Sequence, residues 1–171
     1  LRLDIRLHLC GGTGINAIYY HPFKSDRICL YNPSLGVWQE QSFSLCSLAM
    51  AGLTDNRPFD VFGWSNGGVL TLEGVSWASD TARATALTNL GGMYVKSTDS
   101  TRLYLGTGYK FAGNVYDDNN LRGVWNMFNR IPKPSTLTED FDLNWTYSTT
   151  TWRRRNGYSS SIDRVCGLAD V

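Results

Sequence analysis

The stretch FDVFGWSNGGVLTLE, residues 59–73, decides the fold of this chain. Two runs rich in apolar and aromatic side chains, residues 59–64 and 69–73, flank the four residues Ser65-Asn66-Gly67-Gly68. Asn-Gly is the dipeptide that tolerates the positive φ angles of a type I′ turn between two strands. The stretch therefore predicts a β-hairpin, and it favours an all-β interpretation of the chain around it.

Other short runs have the composition of strands and are separated by turn residues. Residues 1–9 alternate apolar with polar or charged side chains, which is the pattern of a half-buried strand. The remaining predicted strands are residues 17–20, 27–31, 37–43, 94–96, 103–111, 115–116, 124–128, 145–147, 150–154 and 162–168. Residues 45–53 fit either a strand or a helical turn. This spacing is typical of a sandwich or a barrel.

One helix is predicted, at residues 80–90. Ala82, Ala86 and Leu90 fall at helical spacing, Ser79 can serve as the N-cap, and Gly91-Gly92 can end the helix. The sequence thus predicts an all-β, antiparallel β-sandwich of jelly-roll-like type with at most one short helix.

Three regions are expected along the chain. Residues 1–131 form the sandwich body, residues 132–142 form a proline-containing loop or hinge, and residues 143–171 add C-terminal strands that could continue beyond Val171. The chain begins with Leu1 rather than Met, so we expect that one or both ends have been cut from a longer protein.

The charge balance excludes several partners. The chain has 16 basic and 15 acidic side chains and a net charge of +1, so no overall field attracts nucleic acid, an acidic polymer or an anionic membrane. No run approaches the roughly 20 apolar residues that cross a bilayer, and the N-terminus lacks the regions of a signal peptide. We expect a soluble chain without nucleic-acid or membrane partners.

The four cysteines are Cys10, Cys29, Cys46 and Cys166, and no two of them form a CxxC pair. This spacing argues against a zinc or redox motif. We expect small buried thiols in a protein that folds in a reducing cytosol, in preference to disulfides.

Two stretches match the patterns of a catalytic and a cofactor-binding motif, but the residues around them do not fit either function. Residues 63–67 fit GxSxG around Ser65, but a nucleophile elbow must lead into a helix, and both histidines, His8 and His21, precede the serine. Residues 12–17 fit GxGxxG/A, but an aromatic run that ends at Pro22 follows, where a dinucleotide site needs a helix N-terminus. We therefore predict no catalytic residue and no cofactor.

The charged clusters are interpreted as solvated turns or strand ends. Asp117-Asp118-Asn119-Asn120 lacks the spacing of an EF-hand loop, although a bound cation there stays open. Glu139, Asp140 and Asp142 could in principle supply carboxylates for glycoside cleavage, as any acidic loop could. Arg153-Arg154-Arg155 alternates across a strand and has no wider basic surface around it, which argues against nucleic-acid contact. No metal ligand is predicted among these residues.

Aromatic side chains are abundant, with six Trp and nine Tyr. Sandwich cores and subunit interfaces both use large aromatics, and an exposed cluster of them can hold sugar rings. We favour core and interface roles. The candidate interface or binding aromatics are Tyr19, Tyr20, Trp125, Phe128, Trp145 and Trp152.

Several segments carry a resemblance to a known group of proteins. They are IYYHPF (18–23), RICLYN (27–32), FDVF (59–62), the run 77–87, YVKS (94–97), RLYLGT (102–107), VWNMFNRIP (124–132), WTY (145–147) and WR (152–153). In order and spacing they resemble tailed-phage structural proteins of a fibre-like group with "IYYTPY…NRI.LY", "YDVF", "RYLGT" and "VWNYYNR.P" segments. His21, Cys29 and Cys46 depart from the group, where Thr or aliphatic residues are expected.

The resemblance implies a virion component with a β-sandwich body, a homotrimeric state and no catalytic residues. The first hypothesis is a tail-fibre or receptor-facing appendage module, with itself, other virion proteins and a host-surface glycan or receptor as partners. The alternative is a capsid cement or head-decoration protein. The third is a tailspike that degrades polysaccharide, which needs two carboxylates facing each other. All three place the chain in the virion after assembly in the host cytoplasm.

Overall fold

The computed structural model describes residues 6–8, 14–22, 25–117 and 123–128. Within these ranges the regular secondary structure consists of β-strands, without helices. They are β1 Arg6–His8, β2 Ala17–His21, β3 Arg27–Asn32, β4 Val37–Ser42, β5 Cys46–Ala49, β6 Arg57–Asn66, β7 Val69–Ser76, β8 Leu87–Leu90, β9 Met93–Lys96, β10 Asp99–Phe111, β11 Asn114–Val115 and β12 Val124–Asn126. The same ranges contain no helix that is long and apolar enough to span a bilayer.

The strands form one large and two small antiparallel sheets. The large sheet has the order β7-β6-β10-β9-β8, and β11 and β12 also pair with β10. The small sheets are β1-β2-β5 and the hairpin β3-β4. β3 packs against β6 and β10, while β5 packs against β7, so the two small sheets lie on one face of the large sheet. The predicted all-β, antiparallel, sandwich-like class is confirmed.

The core lies between these layers. Alternate residues on the facing strands point inward, since successive side chains of a strand point to opposite faces. The fully or nearly fully buried members of the core are Ile18, Tyr20, Ile28, Leu30, Met50, Phe59, Val61, Leu70, Leu103, Leu105, Val115 and Val124. We call the core-facing side of the large sheet its inner face and the opposite side its outer face.

The hairpin that the sequence predicts around residues 59–73 is confirmed. β6 and β7 pair from Phe59 with Ser76 to Asn66 with Val69. The turn is Gly67-Gly68, with φ of 60° and 88°, so it lies one residue later than the Asn-Gly dipeptide. Two glycines satisfy the two positive φ angles of a type I′ turn without steric cost.

The helix predicted at residues 80–90 is wrong. Residues 87–90 form β8, which pairs with β9 from Leu87 with Lys96 to Leu90 with Met93. Gly91-Gly92, which the sequence suggested as a helix stop, is a hairpin turn with φ of 62° and 90°. Three β-branched threonines between residues 81 and 88 disfavour the helix, and pairing with β9 gives the backbone an alternative.

Most other predicted strands within the described ranges are present with small changes of boundary. The ambiguous segment 45–53 contains the strand β5. Of the strand predicted at residues 1–9, the structure describes β1, which pairs with β2. The predictions for residues 132–142, 145–147, 150–154 and 162–168 lie outside the described residues, as does the C-terminal region 143–171.

A β-bulge at Leu105 shapes the centre of the large sheet. Tyr104 pairs with Phe62 and Gly106 pairs with Val61, so Leu105 is the extra residue on β10. Residues three apart in a regular strand point to opposite faces. The bulge places Tyr104 and Thr107 on the same outer face, where the Tyr104 hydroxyl and Thr107 Oγ1 are 2.6 Å apart.

Candidate functional site

A polar cleft opens at one end of the sandwich, where the β3-β4 hairpin diverges from the large sheet. Its volume is about 250 Å³, which corresponds to roughly eight water molecules at about 30 Å³ each. Its lining residues are Leu30, Tyr31, Asn32, Pro33, Gln39, Gln41, Ser65 and Thr101. We call this site the polar cleft.

Strand register brings the amides of the polar cleft to one wall. Cross-strand partners in an antiparallel pair share a face. Leu30 pairs with Gln39, and Ile28 pairs with Gln41, so both glutamines lie on the hairpin face that buries Ile28 and Leu30. Ser65 and Thr101 come from the opposite layer, near the ends of β6 and β10 that lie beside this hairpin. The cleft is therefore a polar continuation of the apolar core.

The side chain of Asn32 is held in place from several directions. Its Nδ2 donates a hydrogen bond of 2.8 Å to Gln39 Oε1. Its Oδ1 accepts hydrogen bonds from the backbone N–H groups of Ser34 and Leu35, at 3.0 and 3.3 Å. These bonds fix the turn 33–36 and orient the Asn32 and Gln39 amides before any ligand arrives.

Gln41 is the least satisfied member of the polar cleft. Its Nε2 atom is buried and has no hydrogen-bond partner among the described residues. Leaving a buried donor without a partner costs about 1–3 kcal/mol. The terminal amide torsion of glutamine is soft, so this donor can reorient to meet an acceptor.

Among the described residues, the lining of the polar cleft has amide, hydroxyl and apolar groups and no charged side chain. Charged groups lie directly behind it, because Thr101 Oγ1 accepts a 3.1 Å hydrogen bond from Arg102 and donates a 2.6 Å bond to Asp99. Amides and hydroxyls can each donate and accept hydrogen bonds. Arg102 and Asp99 also pair with each other at 3.7 Å, so the lining suits an uncharged ligand that has both donors and acceptors.

A buried polar network lies on the outer face of the large sheet, away from the cleft. Asp60 Oδ1 accepts a 2.7 Å hydrogen bond from Thr107 Oγ1, and Asp60 Oδ2 accepts a 3.0 Å bond from Arg83 Nε. The Arg83 guanidinium lies over the Trp77 ring at 4.7 Å. Burial raises the pKa of Asp60, and the bonds from Thr107 and Arg83 offset only part of that effect.

A second group on the outer face consists of Glu73, Lys96, Arg102 and Trp64, and we call it the ion cluster. Glu73 Oε1 lies 2.5 Å from Lys96 Nζ, and Glu73 Oε2 accepts a 2.8 Å bond from Arg102 Nε. Arg102 also lies over the Trp64 ring at 3.9 Å. Every charged side chain of the ion cluster pairs with one of opposite charge. We therefore interpret the cluster as a stabilising contact between β7, β9 and β10.

The predicted aromatic candidates do not converge on one surface. Tyr20 is fully buried and stacks on Phe43 with ring centroids 5.1 Å apart, and burial raises the pKa of its hydroxyl. Tyr19 is half-buried and points to the opposite face of β2. Trp125 is half-buried on β12, and Phe128 packs against the core. Trp145 and Trp152 lie outside the described residues.

The other motifs singled out in the sequence have ordinary structural settings. Ser65 lies in β6 next to the hairpin turn, and residues 17–21, which follow the GxGxxG-like run, form β2. Cys29 and Cys46 are free thiols. Asp118, Asn119 and Asn120 lie outside the described residues, and within the described ranges no group of three His, Cys, Asp or Glu side chains could hold a metal ion.

Sequence reasoning missed the polar cleft. Gln39 and Gln41 fall within the predicted strand 37–43 and Asn32 directly follows the predicted strand 27–31, and the sequence patterns assign none of the three to a site. The sequence does contain one signal. Gln39 and Gln41 are two residues apart in β4, so they share one face of the strand. A sandwich strand normally places apolar residues on its core-facing side, so two amides there are unusual. That signal becomes specific only when the pairing with Leu30 and Ile28 is known.

No protein-family model matches the chain, and no curated protein or solved structure is significantly similar to it. The resemblance to tailed-phage structural proteins therefore stays a prediction.

Proposed function

We propose that the chain is a non-enzymatic structural component of a tailed-phage virion, a homotrimeric tail-fibre or receptor-facing appendage module. The observation that carries the proposal is the polar cleft, an uncharged recess at one end of a β-sandwich. A receptor-facing module needs such a recess with fixed polar groups, whereas a decoration protein that only covers a shell needs a broad contact surface. The order and spacing of the phage-like segments support the same function.

Surface composition supports assembly with other copies or with other virion proteins. In the described part of the chain, large apolar side chains that are exposed by 45% or more are Leu35, Val37, Leu45, Val69 and Phe111. Leu35 lies in the turn that follows Asn32, and Val69 directly follows the turn after β6. Apolar side chains that adjoin on a surface mark sites of association, and we propose that the trimer covers those at the turns, Leu35 and Val69.

The tailspike alternative receives no support from the cleft. Glycoside cleavage uses two carboxyl groups roughly 5–10 Å apart on either side of the substrate, and no carboxylate is among the described residues that line the polar cleft. The carboxylates of Asp60 and Glu73 are instead bonded to Arg83, Lys96 and Arg102 on the outer face.

The test is to label purified phage particles with an antibody against this chain and to image them by electron microscopy. Label at the tail is the expected result. Label over the head would replace the proposal with the cement or decoration function, and particles without label would contradict both. Native mass spectrometry of the purified chain tests the trimer, and a monomer at micromolar concentration would contradict that part.

A further inference from the structure

The polar cleft has the chemistry of a site for one class of ligand. It combines the amides of Asn32, Gln39 and Gln41 with the Ser65 hydroxyl and the apolar surfaces of Leu30 and Pro33. A sugar ring presents hydroxyls around its edge and C–H groups on its faces. Each hydroxyl can both donate and accept, as can each amide of the cleft.

We infer that the polar cleft binds an uncharged saccharide unit, and that Gln41 and Gln39 determine its specificity. This inference rests on the proposed function for the source of the ligand, which is a glycan on the host surface. The volume of about 250 Å³ suits one or two sugar rings at the end of a chain.

The charged groups around the polar cleft argue against anionic ligands. A sialylated, sulfated or phosphorylated group that enters the cleft loses hydration, and the described residues of the lining include no cationic side chain to compensate it. Arg102 and Asp99, which bond Thr101 of the lining from behind, pair with each other at 3.7 Å. Glu40 and Arg27 belong to the opposite hairpin face. We therefore expect the cleft to bind neutral sugars in preference to anionic ones.

The two glutamines have different roles. The Gln39 carbonyl is occupied by Asn32, so its exposed amide NH₂ is oriented for a ligand oxygen. The Gln41 NH₂ lies unpaired beneath the cleft surface, and a ligand acceptor that reaches it satisfies a donor that the folded chain leaves without a partner. A ligand that fits both donors binds more tightly than one that fits neither, because each unmatched buried donor opposes binding.

The test uses the full chain on an array of immobilised glycans that end in neutral hexoses or N-acetylhexosamines, with sialylated and sulfated versions of the same cores. Binding to at least one neutral glycan, reduced at least tenfold by the added charge, is expected. Titration of the ¹⁵N-labelled chain with the methyl glycoside of that sugar should shift the side-chain amide signals of Asn32, Gln39 and Gln41.

Variants assign the effect to the cleft. Gln41→Met keeps the length of the side chain without its donor, and we expect at least a fivefold loss of affinity. Gln39→Ala removes an exposed side chain and with it the acceptor of the 2.8 Å bond from Asn32, and it should lose affinity by a similar factor. Ser42→Ala, on the next residue of β4 and outside the lining, should stay within twofold of the parent chain.

The outcomes separate this inference from the proposed function. An absence of glycan binding, stronger binding of anionic sugars, or full affinity in both glutamine variants would overturn the assignment of the ligand even where the antibody labels the tail. Neutral-glycan binding that both variants weaken supports it even where particles carry no label, a result that contradicts the virion function alone.

Discussion

Arg83 donates a hydrogen bond of 3.0 Å from Nε to Oδ2 of Asp60. Asp60 is 2% exposed at the centre of β6, while Arg83 belongs to the irregular segment between β7 and β8. The pair therefore ties a segment without regular structure to the outer face of the large sheet. It also gives a buried carboxylate its cationic partner.

Arg83→Met should destabilise the chain strongly at pH 7. Removing one partner of a buried ion pair leaves the other charge uncompensated, which costs about 3–5 kcal/mol. Arg57→Met is the matched control, because Arg57 meets Asp80 of the same segment at 3.8 Å with both side chains about a third exposed or more. The control should cost less than about 1 kcal/mol. Equal losses in urea denaturation would contradict the role of Asp60.

The pH dependence of Asp60→Asn follows from the raised pKa of Asp60. The native carboxyl holds its proton more tightly than the unfolded one, so its contribution to stability is full below the unfolded pKa and is lost as the pH rises through the native pKa. The asparagine variant lacks this loss. In denaturation curves, the free energy of unfolding of the variant should therefore fall below that of the parent chain by less at pH 7 than at pH 3.5. A larger difference at pH 7 would show that the pKa of Asp60 is lowered.

Glu73→Gln should weaken the ion cluster. The substitution removes the carboxylate that Lys96 and Arg102 share, and the side chains of these two residues are only 17% and 19% exposed. The free energy of unfolding should fall by about 1.5–3 kcal/mol. Glu40→Gln removes the carboxylate of an exposed pair, 3.9 Å from Arg27, and should change the free energy of unfolding by less than about 0.5 kcal/mol. Similar values for the two variants would mean that the ion cluster behaves as a surface pair.

Gly108→Ala should destabilise the core of the sandwich. A Cβ atom at this position would lie 2.3 Å from Cζ of Phe59, whose side chain is fully buried. Overpacking of this kind costs about 1–3 kcal/mol. Phe59→Leu creates room, so the double variant should lose less than the sum of the two single variants. Additive losses in thermal and urea unfolding would exclude the clash as the cause.

Cys46 should react slowly with iodoacetamide in the folded chain. Burial raises the pKa of its thiol to about 11 from an ordinary value of 9.0, and the thiolate is the reactive form. Two pKa units correspond to about a hundredfold less thiolate at pH 8. Mass spectrometry of the Cys46 peptide should show that alkylation in denaturant is at least about a hundredfold faster than in the folded chain. A folded rate equal to the unfolded one would contradict the burial.

Sequence patterns predict the local elements well where the pattern is unambiguous. Residues 59–73 predict their own hairpin, because two glycines at the turn and β-prone runs on both sides all favour the same backbone. Residues 80–90 mislead, since Ala82, Ala86 and Leu90 satisfy helical spacing by coincidence. Their conformation is decided by pairing with β9, a contact that the spacing of the residues does not encode.

The sequence by itself determined the strand-rich class of this protein, its balanced charge and its main turns, because these depend on residues close to one another in the chain. Only the tertiary structure decided the polar cleft, the bonds of Asp60 with Thr107 and Arg83, and the ion cluster. Each joins residues that are distant in sequence, through the pairing register of the strands and the bulge at Leu105. A shift of one residue in register turns every side chain to the other face, so the position of Gln41 follows from the pairing of β3 with β4.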